Sequence, residues 1–219
     1  MIVTDAVSAY LESLRPPPSS VLAEMEAHAE RDHVPVVEPE TGQLLHVLAA
    51  ARGARQIVEV GTAIGVSTLY LASALPDDGR IVSFEIDPDR HAAARGYLED
   101  AGLSHRADLR LKDAREGLGA LEPGSFDMAF IDGVKLQYGN YFELLLPLLG
   151  PRGVLAVDNV LMSGTVAEGR SDGGWREDQI AAAHAFNEQV LRHDALTGTV
   201  TPVGDGVLVA VRTSSSSAG

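Results

Sequence analysis

Cysteine is missing altogether from these 219 residues. That excludes disulfides, thiolate metal centres and cysteine nucleophiles, and it fits a reducing compartment, so a cytoplasmic location is expected. Aromatic residues are scarce at 5%, with a single Trp. Basic residues are outnumbered by acidic ones, 17 to 31, for a formal net charge of −14. No nucleic-acid partner is expected on that balance, because phosphate backbones need basic patches. No apolar run approaches the length of a membrane span, and Met1–Asp5 lacks the basic region and apolar block of a secretory signal. The histidines form no metal signature. His28 and His33 lie five apart and no His-Glu-x-x-His occurs, so His46, His91, His105, His184 and His193 are assigned ordinary surface or core roles.

What the chain does have is a regular alternation of short apolar runs and amphipathic stretches. Apolar residues make up 45% of it, enough for the core of a single domain spanning residues 1–219. The first 53 residues read as helices, over Asp5–Leu14, from Ser19 or Ser20 to about Arg31, and over Glu40–Ala51, broken by Pro16-Pro17-Pro18 and a Pro-rich connector at His33–Pro39. Strands are then expected at Gln56–Val60, Arg80–Glu85, Ala107–Leu111, Phe126–Ile131 and Arg152–Val157. Helices are expected between them at Val66–Leu75, Asp89–Ala101, Ala114–Ala120 and Leu136–Leu149, with a long one at Glu177–His193. Near-continuous apolar strands separated by helices predict a parallel sheet covered on both faces. Thr199–Val203 and Val207–Arg212, joined by Gly204-Asp205-Gly206, read as a closing hairpin. The expected fold is α/β: a Rossmann-like, doubly wound, mostly parallel seven-stranded sheet with a C-terminal antiparallel hairpin and extra N-terminal helices. Ser214–Gly219 is expected to be a disordered tail.

Two acidic clusters stand just past strand ends: Asp132-Gly133-Val134-Lys135 after Met128–Ile131, and Asp158-Asn159 after Val154–Val157. In an open α/β sheet such positions converge on one crevice. Asp132, Asp158 and Asn159 together would offer three hard oxygens to a divalent cation, Mg²⁺ first, with Mn²⁺ or Ca²⁺ as alternatives. Taken singly, Asp132 could be a helix cap and Asp158-Asn159 a turn. Lys135 could be a surface lysine or a base. A free lysine, with pKa near 10.4, needs burial or a nearby charge to serve as one.

The first strand runs into Glu59-Val60-Gly61-Thr62-Ala63-Ile64-Gly65-Val66-Ser67. A glycine-bearing strand-to-helix turn lets a ligand approach the backbone. Ala63 occupies the place of the second glycine in the dinucleotide fingerprint, so the pyrophosphate reading is weakened. Glu85 ends the second strand, where carboxylates commonly hold ribose hydroxyls. Asp87 and Pro88 suit the cap and first turn of the next helix.

These residues resemble the class I S-adenosylmethionine-dependent O-methyltransferases of the catechol and caffeoyl-CoA type, in their small bacterial branch. The matching motifs are Val37-Glu38-Pro39-Glu40-Thr41-Gly42-Gln43, Val58–Thr62, Phe84–Asp87, Phe130–Lys135 with Tyr138 and Tyr141, and Val157–Leu161 with Gly164. The resemblance implies a donor site of Val37, Glu59, Gly61, Thr62, Ser67, Glu85, Ile86, Asp113, Ala114 and Asp132. It implies a cation on Asp132, Asp158 and Asn159, and Lys135 and Asp132 as the catalytic pair. The acceptor would be a phenolic small molecule with vicinal hydroxyls, meeting Lys135, Asn159 and Trp175, and the assembly a homodimer. The chain departs from the family pattern at Gly133 and Val134, where many relatives carry acidic or larger side chains, and at Lys112, where many carry Gly. An NAD-dependent oxidoreductase and a non-catalytic binding module are the competing expectations. Ala63 speaks against the first and the intact Asp132/Lys135/Asp158/Asn159 set against the second.

Overall fold

A computed structural model describes residues 4–171 and 173–213, so the expected tail at 214–219 lies outside the described residues. Seven strands form one sheet: β1 (Gln56–Val60), β2 (Arg80–Glu85), β3 (Ala107–Leu111), β4 (Phe126–Ile131), β5 (Leu149–Val157), β6 (Leu196–Thr201) and β7 (Val207–Arg212). Their order is β3-β2-β1-β4-β5-β7-β6. β1 to β5 pair in parallel, and β7 runs antiparallel to both β5 and β6. The expected α/β sheet with its closing hairpin is therefore present. The strand order reverses between β1 and β4, and in such sheets the crevice for a ligand opens at that point.

Alternating strand residues face opposite layers. Val58, Val60, Ala129, Ile131, Leu155 and Val157 pack with Phe142 and Phe186, which come from α7 (Tyr138–Leu145) and α9 (Glu177–Leu191). Ile57, Met128, Phe130, Val154 and Ala156 pack on the other side with Met25, Leu45 and Leu71. These belong to α2 (Ser20–Asp32), α3 (Pro39–Arg52) and α4 (Val66–Ala74). Covering both faces explains why these strands read as continuous apolar runs. The other helices are α1 (Asp5–Ser13), α5 (Pro88–Asp100), α6 (Ala114–Gly117) and α8 (Thr165–Glu168). Ser19 caps α2 by accepting from Leu22 N–H, and Asp87 caps α5 by accepting from Asp89 and Arg90, as expected.

Several boundaries differ from expectation. β5 begins at Leu149 rather than Arg152, and β6 spans 196–201 rather than 199–203. The helix expected over 136–149 is only α7, flanked by 3₁₀ turns at Lys135–Gln137 and Leu146–Leu148. Pro147 lacks an N–H to continue the α ladder. The stretch expected as a helix over 114–120 tightens into 3₁₀ after Gly117. Among the described residues no helix is long and apolar enough to cross a membrane.

Candidate active site

At the end of β1 the chain turns with Gly61 at φ 96° and Ala63 at φ 48°. Gly61 and Thr62 donate their N–H groups to Phe84 carbonyl, at 3.1 and 3.2 Å, which ties the loop to the end of β2. Glycine is required at 61, because an added Cβ would lie 2.0 Å from the carbonyl oxygen of Asp132. The β1 loop and the residue after β4 thus touch through their backbones. Ala63 adopts the left-handed conformation that a second glycine would take easily, and its N–H donates to Glu85 Oε2 at 2.7 Å. Glu85 Oε1 accepts from Ile86 and Asp87 N–H, at 2.8 and 2.9 Å. This strand-end carboxylate therefore binds backbone, keeps acceptor capacity to spare, and also lines the cavity.

Glu59 is fully buried and receives three hydroxyl donors, Ser67 at 2.6 Å, Thr68 at 2.5 Å and Ser83 at 2.6 Å. Burial pushes its carboxyl above the usual range, against the pull of those three donors. It does not reach the cavity wall where the resemblance placed it. Glu59 stands one layer below and fixes Ser67, which does reach it. The reason is the pleat. Glu59 precedes Val60 and the turn, so its side chain drops toward α4 rather than out of the strand end.

The acidic clusters converge as expected. The Lys135 ammonium donates to Asp132 Oδ1 at 2.8 Å and to Asn159 Oδ1 at 2.5 Å. It also lies 5.4 Å from the Tyr138 ring centroid, a cation–π distance. Asn159 has φ 57°, a left-handed conformation that asparagine tolerates better than most residues. Asp158 is buried, its Oδ1 accepts from Asn159 N–H at 2.7 Å, and its carbonyl accepts from the Tyr138 hydroxyl at 3.0 Å. Burial and the charge of Asp132 push the Asp158 carboxyl up to about 7. Asp132 does not cap the following turn. Val134 takes that position, and the Asp132 carboxylate turns to Lys135 instead. The Asp132 and Asn159 oxygens, bridged here by Lys135, and the buried Asp158 carboxyl next in sequence to Asn159 form a donor set whose chemistry fits a hard divalent cation. Among the described residues there is no group of three or more His, Cys, Asp or Glu side chains placed for a metal. Such an ion would therefore draw further oxygens from water or ligand.

One cavity of about 760 Å³ joins these parts. Val37, Gly61, Thr62, Ser67, Glu85, Ile86, Asp113, Ala114, Asp132, Lys135, Asn159 and Trp175 all line it, whereas Glu59 and Asp158 lie behind its wall. Asp113 caps α6 through Arg115 N–H at 2.8 Å and pairs with the Arg115 guanidinium. That pair holds the Asp113 carboxyl below its usual range. Trp175 both packs against the cluster of Met162, Val166, Ile180 and Ala183 and faces the cavity. The departure at Gly133 has a steric counterpart, since a Cβ there would meet Tyr141 at 3.0 Å and Val60 at 3.2 Å. Arg90, Arg115, Gln137, Tyr141, Gln179 and Asp205 also line the cavity without having been assigned to it from the sequence. Of these, Tyr141 was read only as part of the Phe130–Lys135 motif, and Asp205 only as part of the Gly204-Asp205-Gly206 turn.

The geometry has parallels among known proteins. A family model described as O-methyltransferase matches residues 13–213. A catechol O-methyltransferase from Niastella koreensis is 35% identical over 167 residues, covering 75% of this chain and 74% of that protein. A probable caffeoyl-CoA O-methyltransferase from Arabidopsis thaliana is 32% identical, covering 80% of this chain and 78% of that protein. The O-methyltransferase TomG from Streptomyces achromogenes, involved in tomaymycin synthesis and solved in complex with SAM, superposes with TM-score 0.82. It is 30% identical and covers 95% of this chain and 96% of its own. Over nearly its whole described length, then, this chain belongs to the O-methyltransferase family, and it is an enzyme of methyl transfer to oxygen.

Proposed function

We propose that the chain, acting as a single domain, transfers a methyl group from S-adenosylmethionine to one hydroxyl of a vicinal dihydroxy aromatic, with a divalent cation. The observation that carries this reading is the convergence of Asp132, Asn159 and Lys135 on one end of the 760 Å³ cavity whose other end is the Gly61 loop, Glu85 and Asp113. The relative solved with SAM and the relative named for catechol support the two halves of the proposal.

In this reading the donor lies along the β1–β3 loops. Glu85 holds its ribose hydroxyls, Asp113, Ala114 and Ile86 border its adenine, and Ser67, Gly61, Thr62 and Val37 enclose its methionine end. Asp132, Asp158 and Asn159 would hold the cation. When bound, it supplies a positive charge that lowers the pKa of a neighbouring hydroxyl and orients a diol. Lys135, held between Asp132 and Asn159, would take the acceptor's hydroxyl proton at Nζ as the free amine. Trp175 offers an aromatic wall for the acceptor ring. The fixed contact between Gly61 and the Asp132 carbonyl sets the spacing of donor and acceptor, and spacing supplies much of the rate enhancement in a displacement of this kind.

Initial rates of methyl transfer to 4-methylcatechol, with chelator and with Mg²⁺ restored, test the proposal. Activity should vanish and return, and full activity in chelator would remove the cation. Calorimetric titration with S-adenosylmethionine and with NAD separates this reading from the oxidoreductase, which requires the second to bind.

An apolar stripe on α1 supports a homodimer. Val7, Tyr10, Leu11 and Leu14 are exposed at helical spacing. Sedimentation velocity should give twice the chain mass, and a Tyr10→Glu, Leu14→Glu variant should run as a monomer.

A further inference from the structure

Charge is distributed unevenly around the cavity. Arg90, Lys112 and Arg115 line it near β2 and β3. At the β4–β7 end, the one cation among the described lining residues is Lys135, already shared between Asp132 and Asn159. The wall beyond it consists of Val134, Gln137, Trp175, Gln179 and Asp205. Asp205 is held in place: its Oδ1 accepts from Ser163 N–H at 3.1 Å and from Ser163 Oγ at 3.0 Å. Burial first, and then the charge of Asp205, raise the Glu38 carboxyl above its usual range. Glu38 backs the same turn, since a Cβ on Gly204 would lie 3.1 Å from Glu38 Oε2 and 2.7 Å from Thr41 Oγ1. That Thr41 hydroxyl is buried and without a hydrogen-bond partner. Neither Arg170 nor Arg176 lines the cavity; they pair on the surface with Glu168 and Asp178.

Relatives are named for acceptors of very different charge, a catechol and a coenzyme A thioester. A thioester carries several phosphate charges, and phosphates are recognised by free Arg or Lys. An ammonium is recognised by carboxylates and by aromatic faces, and Asp205 and Trp175 both line this cavity. We propose that the acceptor mouth selects diols whose ring substituent is uncharged or cationic, with Asp205 as the specificity-determining residue, and discriminates against carboxylate and coenzyme A thioester acceptors. This rests on the reading of the cavity as the site of methyl transfer to a vicinal diol.

The test compares kcat/KM on the full chain, with S-adenosylmethionine and Mg²⁺, for four acceptors sharing one diol. They are 2-(3,4-dihydroxyphenyl)ethylamine, 4-methylcatechol, 3-(3,4-dihydroxyphenyl)propanoate and caffeoyl-CoA. The amine should exceed the carboxylate by about tenfold, with 4-methylcatechol between them and the thioester last. Asp205→Asn keeps an acceptor for Ser163, and it should compress the amine-to-carboxylate ratio by about five- to tenfold. Raising the ionic strength should compress the wild-type ratio as well. A wild-type preference for the carboxylate or the thioester overturns the charge selection, as does a ratio unmoved by Asp205→Asn. If 4-methylcatechol itself is not methylated, the reading of the reaction falls and takes the selection with it.

Discussion

The two ends of the cavity are built from different materials. At the β1–β3 end the loops are tied down chiefly by main-chain N–H groups. The N–H groups of Gly61 and Thr62 close on Phe84, and those of Ala63, Ile86 and Asp87 close on Glu85. At the β4–β7 end charged side chains do it, carried on turns with left-handed residues at Asn159, Met162 and Ser163. A backbone cradle is insensitive to most substitutions, because every residue type other than proline presents the same amide. A seat made of side chains can be retuned one residue at a time. The donor end is therefore the part such a fold can keep constant, and the acceptor end the part it can vary.

Substitutions can break that contrast from either side. The largest effect is expected from Asp158→Ala, which should lower kcat by about 100-fold or more. Affinity for S-adenosylhomocysteine, measured by calorimetry, should stay within about threefold; a parallel loss of both would show that the two ends are not separable. Lys135→Ala should reduce kcat by about 100-fold with donor affinity again preserved, and a wild-type kcat would strip Lys135 of its role as base. Gly61→Ala should damage both ends together. Its positive φ and the 2.0 Å approach to Asp132 oxygen imply a loss of about 2 kcal/mol in folding stability or more. Urea denaturation and donor titration would each report that loss.

The smallest effect concerns Glu59, beneath the donor loop. Its folded carboxyl is raised above the ordinary 4.5, so the fold holds a proton there that the unfolded chain releases. The associated stability is present below pH 4.5 and is lost as pH rises through the folded value. Glu59→Gln should therefore gain stability relative to wild type as pH rises, in the absence of donor. Parallel stability curves for the two proteins would refute this.

Much of the fold was legible because strands buried on both faces leave a simple signature. Ile57–Val60 and Phe130–Ile131 could hardly be anything else. Helix ends were legible where a side chain caps them, as at Ser19 and Asp87. Pro147 marked the end of α7, but the leucines around it carried an apolar pattern straight through. Asp132, Lys135, Asp158 and Asn159 could be picked out because each follows a strand, and strand ends share one crevice. Gln137, Gln179 and Asp205 could not. They reach the cavity from a 3₁₀ turn, a helix start and a hairpin turn, and their spacing in sequence carries no trace of that convergence. Glu59 was assigned to the donor site only through the resemblance, and its side chain turns to Ser67 and Thr68 of α4 behind the wall.

The closing hairpin bears on how the molecule comes into being. β7 lies between β5 and β6. The turn before it receives Val160 N–H on the Gly206 carbonyl, and Leu161 and Met162 N–H on that of Asp205. The turn carrying Asp158 and Asn159 is therefore propped by residues synthesised some forty-five positions later. The backbone support of that turn is therefore complete only once the closing hairpin has been made. The sheet's last strand to be made is thus not an edge ornament but the prop of the turn that carries two of the proposed cation ligands.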